Sequence, residues 1–416
     1  MGISVMKRRV VITGMGAVTP LGNTVEDFWR EVQLGTCGID EITSYDTSEQ
    51  RVKLAAQVKN LDFTEYIDKS ELRKMDTFTK FAVIAAKEAV NDSGITLDDS
   101  NRHQCGVMIS SGIGGLDTIA KEHERGSKRG FDKVSPFFIP MAIGNIAAGT
   151  VAIQHNITGI CNCVVTACAG GTNAIGDAFR YIRDGYAQMM VCGGSEASIT
   201  PFGIGGFTAL HALSESTDKN RASIPFDANR NGFVMGEGAG ILFLEEYEQA
   251  IARGASIYAE VVGYGVSCDA HHITAPDPTG AGACKSMLNA LADASIQPTD
   301  IGYINAHGTS TPLNDKGETL AVKEAFGDHA KELLISSTKS MTGHLLGASG
   351  AIEAIIMTKA LQDSYIPATI NYQIPDPDCD LNIVPNTGVS REISYALSNS
   401  LGFGGHNATL IFRKCE

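Results

Sequence analysis

The sequence predicts an α/β fold made of two similar halves, and three observations carry that expectation. Apolar runs of strand length end in glycine turns. Helical patterns, with apolar residues three and four apart, lie between them. The same order of elements starts again after about residue 255. Alternating strands and helices make parallel strands the expectation.

The first strand pattern is RRVVITGMG at 8–16. A helix is predicted over FTKFAVIAAKEAVNDSG at 78–94, ending at Gly94, a residue suited to close a helix. Strand patterns follow at CGVMISSGIGG (105–115) and CNCVVTACAGG (161–171), then a helix at TNAIGDAFRYIRDG (172–185) and a strand at AQMMVCGGSE (187–196). In the second pass, strands YAEVVGYG, IGYINAHGTS and LISSTKS alternate with helices AGACKSMLNALADASI, NDKGETLAVKEAFG and GASGAIEAIIMTKALQ. The halves are placed at 8–255 and 256–416, and what repeats is the order of elements rather than residue identity.

With 416 residues and 43% hydrophobic content, the chain can bury one large core or two medium ones. Charged residues make up 19%, and no stretch is dominated by Ser, Pro, Gln or one charge sign, which excludes extended disorder. The net charge of −14 argues against nucleic acid as a partner, and an acidic protein partner would need a local basic patch. The longest apolar runs, VVITGMGAV and CVVTACAGG, fall well short of the roughly 20 residues that span a bilayer, so no membrane helix is expected. The start MGISVMKRR has no uniform apolar segment after its basic residues, and Met6 stands where a myristoylation pattern wants Ser or Thr. Ten scattered cysteines suit a reducing, cytoplasmic compartment better than a disulfide framework, and a removed transit peptide would leave no trace.

Cys168 lies where a β-rich run gives way to small residues and then to a helix. A thiol at a helix N-terminus faces unpaired N–H groups and the positive end of the dipole, which predicts a lowered pKa. Ala167, Ala169, Gly170 and Gly171 leave room for a thioester. A buried structural cysteine is the commoner role for any one of ten, and the turn alone does not decide. His307 in NAHGTST and His344 in STKSMTGHLLGASGAIE each follow a strand pattern and precede small residues. Two neutral imidazoles there can donate N–H bonds to a developing enolate oxygen, whereas a lone histidine is more often structural. Lys339 and Glu353 are spaced around His344 so as to form an ion pair, with a solvent-exposed pair as the alternative. Phe403 sits in a loop reading NSLGFGGHN, as a gate and oxyanion donor or as a plain buried side chain. GMG at 14–16 and SGIGG at 111–115 lack the dinucleotide pattern. Adjacent His271 and His272, and CNC at 161–163, do not make a metal site.

Taken together, RRVVITGMGAVTPLGN, SSGIGGL, VVTACAGG, FDANRNGFVMGEGAG, INAHGTSTPLND, SSTKSMTGHLLGASGAIE and NSLGFGGHN resemble the type II β-ketoacyl-acyl carrier protein synthases of the thiolase-like superfamily. The resemblance runs from about residue 8 to the C-terminus. It implies a thiolase-like five-layered αβαβα fold of two duplicated halves, a homodimer, and no cofactor of its own, the phosphopantetheine arriving on acyl carrier protein. It implies that Cys168 takes the acyl chain, with the N–H groups of Cys168 and Phe403 as oxyanion hole. His307 and His344 would drive malonyl decarboxylation, and Lys339 and Glu353 would hold the electrostatics. Thr309 and Thr311 would contact phosphopantetheine, Ile113 and Phe403 would gate the acyl pocket, and Phe207, His272 and Gly404 complete the substrate-binding set. Asn305, Glu353, Ser398 and Asn399 would surround a monovalent cation seen in some relatives. Acyl-ACP and malonyl-ACP would dock on Lys69, Arg73 and Lys74, with Arg125, Lys128, Arg129 and Lys133 as additions, a solvated charged face being the alternative. GGHN replaces the GGTN of some members, and His406 is expected to change structure locally without changing the reaction.

Other readings compete. A degradative thiolase needs a second cysteine as base, and Cys379 in PDPDCDLN is in the wrong context. Starter-unit ketosynthases carry Asn where His344 stands. A non-catalytic partner that sets chain length lacks the nucleophile that Cys168 supplies. The ketosynthase domain of a polyketide megaenzyme is set aside on length alone.

Overall fold

A computed structural model describes residues 7–415. The segment 1–6, read above for a leader or myristoylation, lies outside the described residues. Ten strands form the frame: β1 (Val10–Val18), β2 (Cys105–Ser110), β3 (Cys161–Asn162), β4 (Met189–Glu196), β5 (Gly238–Glu246), β6 (Ala259–Cys268), β7 (Ile301–Asn305), β8 (Leu334–Ser336), β9 (Tyr395–Gly402) and β10 (His406–Arg413). Six helices matter for the site: α1 (Thr77–Asp92), α2 (Ile146–Gln154), α3 (Gly170–Arg183), α4 (Ala281–Ala294), α5 (Pro312–Phe326) and α6 (Ser349–Asp363).

The first five strands lie in the order β3-β2-β4-β5-β1 and the last five in the order β8-β7-β9-β10-β6, the same order and the same senses twice. In each half three neighbouring strands are parallel, the fourth runs against them, and the fifth runs against the fourth and so with the first three. The two sheets run into one another where Val10, Val11 and Ile12 of β1 pair with Val261, Glu260 and Ala259 of β6. The duplication expected from element order is present. The all-parallel sheet is not: the strands that close each half, β5 and β10, run against their neighbours, so each half is mixed. A direct hairpin such as β9–β10 can only be antiparallel, because a parallel step needs a long crossover.

Alternation along the strands sorts side chains into layers. In β5, Ile241 and Phe243 face α1 and α2 with Phe78, Phe81 and Val151, while Leu242 and Leu244 face inward. The inner layer holds α3 and α6, and the outer face of the second sheet packs on α4 and α5 through Met287, Val322, Leu397 and Ile411. Twelve of the fifteen residues of α6 are buried, and ten of the fourteen in α3, which only helices covered on both sides by sheets require. The result is the αβαβα order. Each fully buried Ile, Leu or Phe contributes roughly 1.5–3 kcal/mol, so these layers fix the N-termini of α3 and α6 rigidly.

Two local expectations are corrected. In CNCVVTACAGG only Cys161 and Asn162 pair as strand, at the exposed edge of the sheet, and residues 163–166 lead irregularly into the α3 turn. In NSLGFGGHN, residues 399–402 belong to β9 and His406 opens β10. Only Phe403–Gly405 connect them, with φ of +86° and +75° at Gly404 and Gly405, a conformation that suits glycine.

Candidate active site

Cys168 lies in a 3₁₀ turn, Ala167–Ala169, directly before α3. Ala167 takes φ +49°, a left-handed conformation costly for alanine, and this bend holds the thiol out of the regular helix. Gly402, at the end of β9, is pressed against the turn: a Cβ there would stand 2.8 Å from Thr166 O and 3.2 Å from Cys168 N. The N–H groups of Phe403 and Cys168 both favour negative charge on the sulfur. The expected low pKa is corrected, however. Burial pushes the Cys168 thiol up to about 12; Lys339 and the two N–H groups oppose this, while Glu196 adds to it. Desolvation outweighs the opposing charges and hydrogen bonds, so the resting group is a neutral thiol.

His307 follows β7 and His344 follows the short helix Lys339–Thr342; both are almost fully buried. Their rings meet edge to face, with centroids 5.2 Å apart. His307 is fixed through its backbone, since its N–H and that of Gly308 each donate to Glu318 at 2.8 Å. His344 is fixed by its N–H to Val234 O at 2.7 Å, and its Nδ1 lies 2.8 Å from Ser349 Oγ. Burial, with the nearby Lys339 charge, holds both imidazoles well below their usual pKa, so both are neutral. Lys339 Nζ is paired with Glu353, and both side chains are buried. The solvent-exposed alternative for that pair is excluded.

One cavity of about 620 Å³, counting its mouth, gathers Cys168, His307, His344, Phe403, Phe207, Thr309 and Thr311. Thr309 Oγ1 and Thr311 Oγ1 are 2.9 Å apart on its wall. Phe207 meets Phe233 edge to face and Phe403 at a tilt, at centroid distances of 5.5 and 6.2 Å. The structure keeps three of the residues named for substrate contact or gating outside this lining. Gly404 donates its N–H to Ile273 O at 2.8 Å. His272 is exposed and its Nδ1 accepts from the N–H groups of Thr274 and Ala275, shaping the rim while Thr274 itself lines the cavity. Ile113 is partly exposed, and its N–H is held by Glu196. His406 lies beside the glycine connection, where a Cβ on Gly404 would come 3.0 Å from its Nε2. Asp269, Asn314, Asn407 and Glu196 were not singled out from sequence. The readable signal for Glu196 was a carboxylate closing a strand of small residues, CGGSE.

The oxygens proposed for a cation pass a test of fit in part. Asn305 Oδ1, Glu353 Oε2 and Ser398 Oγ are buried and have no hydrogen-bond partner, the donor type a hard monovalent cation takes. Asn399 does not share that state, since its Oδ1 accepts from Thr409 and its Nδ2 donates to Glu318. On the surface, Lys69 lies in the short helix Lys69–Leu72, followed by Arg73 and by Lys74, which pairs with Glu71 at 2.7 Å. Arg125 and Lys128 pair with Glu122 and Glu124 on their own helix, while Arg129 and Lys133 carry no ion pair among the described residues. This favours a solvated face for Arg125 and Lys128.

Residues 7–250 match the family described as "Beta-ketoacyl synthase, N-terminal domain", and residues 258–373 match "Beta-ketoacyl synthase, C-terminal domain". A curated relative from Synechocystis sp., named 3-oxoacyl-(acyl-carrier-protein) synthase 2, is 51% identical over 99% of both chains. Among solved structures, the ishigamide ketosynthase/chain length factor superposes with a TM-score of 0.93 at 35% identity, covering 99% of this chain and 100% of that one. A type II PKS acyl-carrier protein in complex with its ketosynthase bound to the hexaketide gives a TM-score of 0.90 at 36% identity, with the same coverage.

Proposed function

The chain belongs to the β-ketoacyl synthase family, and from that premise we propose that it is the elongating condensing enzyme of type II fatty acid synthesis, joining an acyl group to malonyl-ACP to give 3-oxoacyl-ACP, carbon dioxide and free ACP. The observation that carries this reading is the meeting of Cys168, two neutral imidazoles and the Phe403 N–H on one cavity.

Acyl transfer comes first. Cys168 Sγ attacks the thioester carbonyl of acyl-ACP while the Cys168 and Phe403 N–H groups take up the negative charge on its oxygen. The thiol proton ends on the departing pantetheine thiol, so one thiol replaces another and the high resting pKa of Cys168 leaves no lasting charge. Malonyl-ACP then enters, its pantetheine arm resting on Thr309 and Thr311. Its carboxylate leaves as carbon dioxide, and the electron pair of that C–C bond passes into the thioester enolate. N–H groups of neutral His307 and His344 hold the enolate oxygen, which a protonated pair would quench. The Lys339 charge helps to keep them neutral. The carbanion attacks the acyl-Cys168 carbonyl, the second tetrahedral oxyanion uses the same two N–H groups, and its collapse breaks the C–S bond, releasing Cys168 as a thiolate that takes a proton from water.

No cofactor of the chain enters these steps. A monovalent cation bound by Asn305, Glu353 and Ser398 would satisfy buried oxygens beside the Lys339 pair and would supply local charge only. A homodimer is supported by the exposed outer edge of β3 and by the exposed apolar side chains Phe137, Ile139, Ile143, Val165 and Phe202 of the first half. A monomeric mass by light scattering at micromolar concentration would remove it. A cytoplasmic setting fits ten free thiols. Among the described residues no helix is long and apolar enough to cross a membrane. Carrier protein docking at Lys69, Arg73 and Lys74 predicts that charge reversal of Arg73 and Lys74 weakens ACP binding roughly tenfold without slowing reaction with small acyl thioesters. Equal binding by wild type and variant moves the docking face elsewhere.

The deciding experiment is intact-mass spectrometry after incubation with acyl-ACP, with and without malonyl-ACP, followed by peptide mapping. An acyl adduct on Cys168 that vanishes on adding malonyl-ACP, with 3-oxoacyl-ACP formed, is the expected result. Absence of any adduct favours the non-catalytic chain-length partner or a different acyl donor.

A further inference from the structure

We propose that Glu196 is a positioning residue of this active site: its carboxylate pins the loop carrying Ile113, from the first half, to the Leu346–Ala348 turn that follows His344 in the second. The proposal rests on reading Ile113 as the gate of the acyl pocket.

Glu196 closes β4 and is completely buried. Five donors converge on it and it donates to none. Oε2 accepts from Gly112 N at 2.7 Å and Gly347 N at 3.1 Å. Oε1 accepts from Ile113 N at 3.3 Å, Ser111 Oγ at 3.2 Å and Ser198 Oγ at 3.2 Å. Burial raises the pKa of Glu196, while the N–H groups of Gly112, Gly347 and Ile113 and the Ser111 hydroxyl pull it down; the all-donor shell fits the ionised form, in which each bond is stronger than a neutral one. Space is reserved for it: a Cβ on Gly112 or Gly347 would stand 2.8 or 3.0 Å from Oε2. A surface acid would not need two glycines and three side- and main-chain donors from three separate segments. The bonded residues flank Cys168 and His344 in space, yet Glu196 has no part in the chemical steps. Its role is to hold the Ile113 loop and the turn after His344 in one register.

The Glu196→Gln variant separates positioning from mere stability. The amide oxygen can keep Gly112 and Gly347, and the hydroxyls of Ser111 and Ser198 can turn to accept from the new NH₂. The Ile113 N–H cannot turn, so it alone is left facing a donor. Single-turnover acylation of Cys168 is followed by intact mass with acetyl-ACP and with a long-chain acyl-ACP. The long chain passes the Ile113 gate and the acetyl group stops short of it. Expected is a loss on the long chain roughly fivefold larger than on acetyl, about the net effect of one hydrogen bond.

A second readout needs no carrier protein. The groups facing the sulfur are Lys339, itself paired with Glu353, the neutral His307 and His344, and Glu196, whose charge opposes the thiolate. Alkylation of Cys168 by iodoacetamide therefore moves to lower pH in Glu196→Gln. Equal losses on both acyl chains, or an alkylation profile that does not move, overturn the proposal. Wild-type enzyme that accepts no acyl group overturns the reading of function instead, and the alkylation profile still reports on Glu196.

Discussion

The two halves build the same turn and use it differently. Before each central helix the chain makes a 3₁₀ turn that starts with a left-handed residue, Ala167 at φ +49° before α3 and Leu346 at φ +48° before α6. The next residue is Cys168 in one half and Gly347 in the other. The strand that ends against each turn is β9 for the first and β4 for the second, closing in Gly402 and Glu196. Those two residues hold matching places, Glu196 pairing with the first residue of β5 and Gly402 with the first residue of β10. A side chain on the turn therefore meets a glycine on the strand, and a carboxylate on the strand meets a glycine on the turn. Where the strand supplies no side chain, the Cys168 N–H stays open, as the proposed oxyanion role requires. Where it supplies Glu196, the corresponding N–H is filled permanently by a built-in anion. Duplication gave two sites of equal geometry, and one residue on each side makes one reactive and the other structural.

Replacing the reactive groups tests that division most severely. Cys168→Ala is expected to form no acyl adduct, and adduct mass after incubation with acyl-ACP checks it. His307→Ala and His344→Ala are expected to form the adduct and to lose carbon dioxide release from malonyl-ACP by roughly 10²–10³-fold. Condensation retained by any of the three breaks the assignment of nucleophile to one half and decarboxylation to the other. A smaller effect comes from the paired glycines. Gly402→Ala drives a methyl into the Cys168 turn and is expected to slow acylation roughly 10–100-fold at near-normal stability, since displacements of about 1 Å are costly to chemistry. Gly347→Ala places its methyl 2.4 Å from Gly112 N, and its main cost is expected in stability, about 1–3 kcal/mol. Thermal melts and acylation rates that show the same profile for both variants would erase the contrast.

What the sequence revealed follows from where information is local. The α1 and α3 patterns lie within two residues of their observed ends because a buried helix face repeats within the segment itself. Cys168, His307 and His344 were legible because each ends a strand-like run at small residues, a local mark of a site at strand ends. The return strands were not. GAGILFLEE forms β5, but its partners β1 and β4 are set by a fold in which residues 197–237 wander first, and nothing within nine residues states their direction. Glu196 was missed for the same reason: its five donors come from residues 111–113, 198 and 347, and no pattern spans those distances. The Cys168 pKa was misjudged because a helix N-terminus can be read from sequence, while the depth of burial that outweighs it cannot.

The mildest test concerns the residue just before each return strand, Glu237 before β5 and Gly405 before β10. Glu237 accepts one hydrogen bond, from Val58 N at 3.1 Å, and burial raises its carboxyl to about 7. A folded-state pKa above the unfolded one means the folded chain binds the proton more tightly. The stability this confers is complete below the unfolded value and disappears as pH rises through about 7. At pH 8 the wild type therefore bears a cost of roughly 1–3 kcal/mol that the second half, with glycine at this place, does not bear. Glu237→Gln keeps an acceptor for Val58 and cannot ionise. Its melting temperature is expected to match the wild type at pH 5 and to exceed it by roughly 1–3 °C at pH 8. Glu88 and Glu318, also raised to about 7, are present in both proteins and cancel in the difference. An equal difference at the two pH values would mean that Glu237 does not change its charge between them, and that the two halves do not differ by a titrating acid at this position.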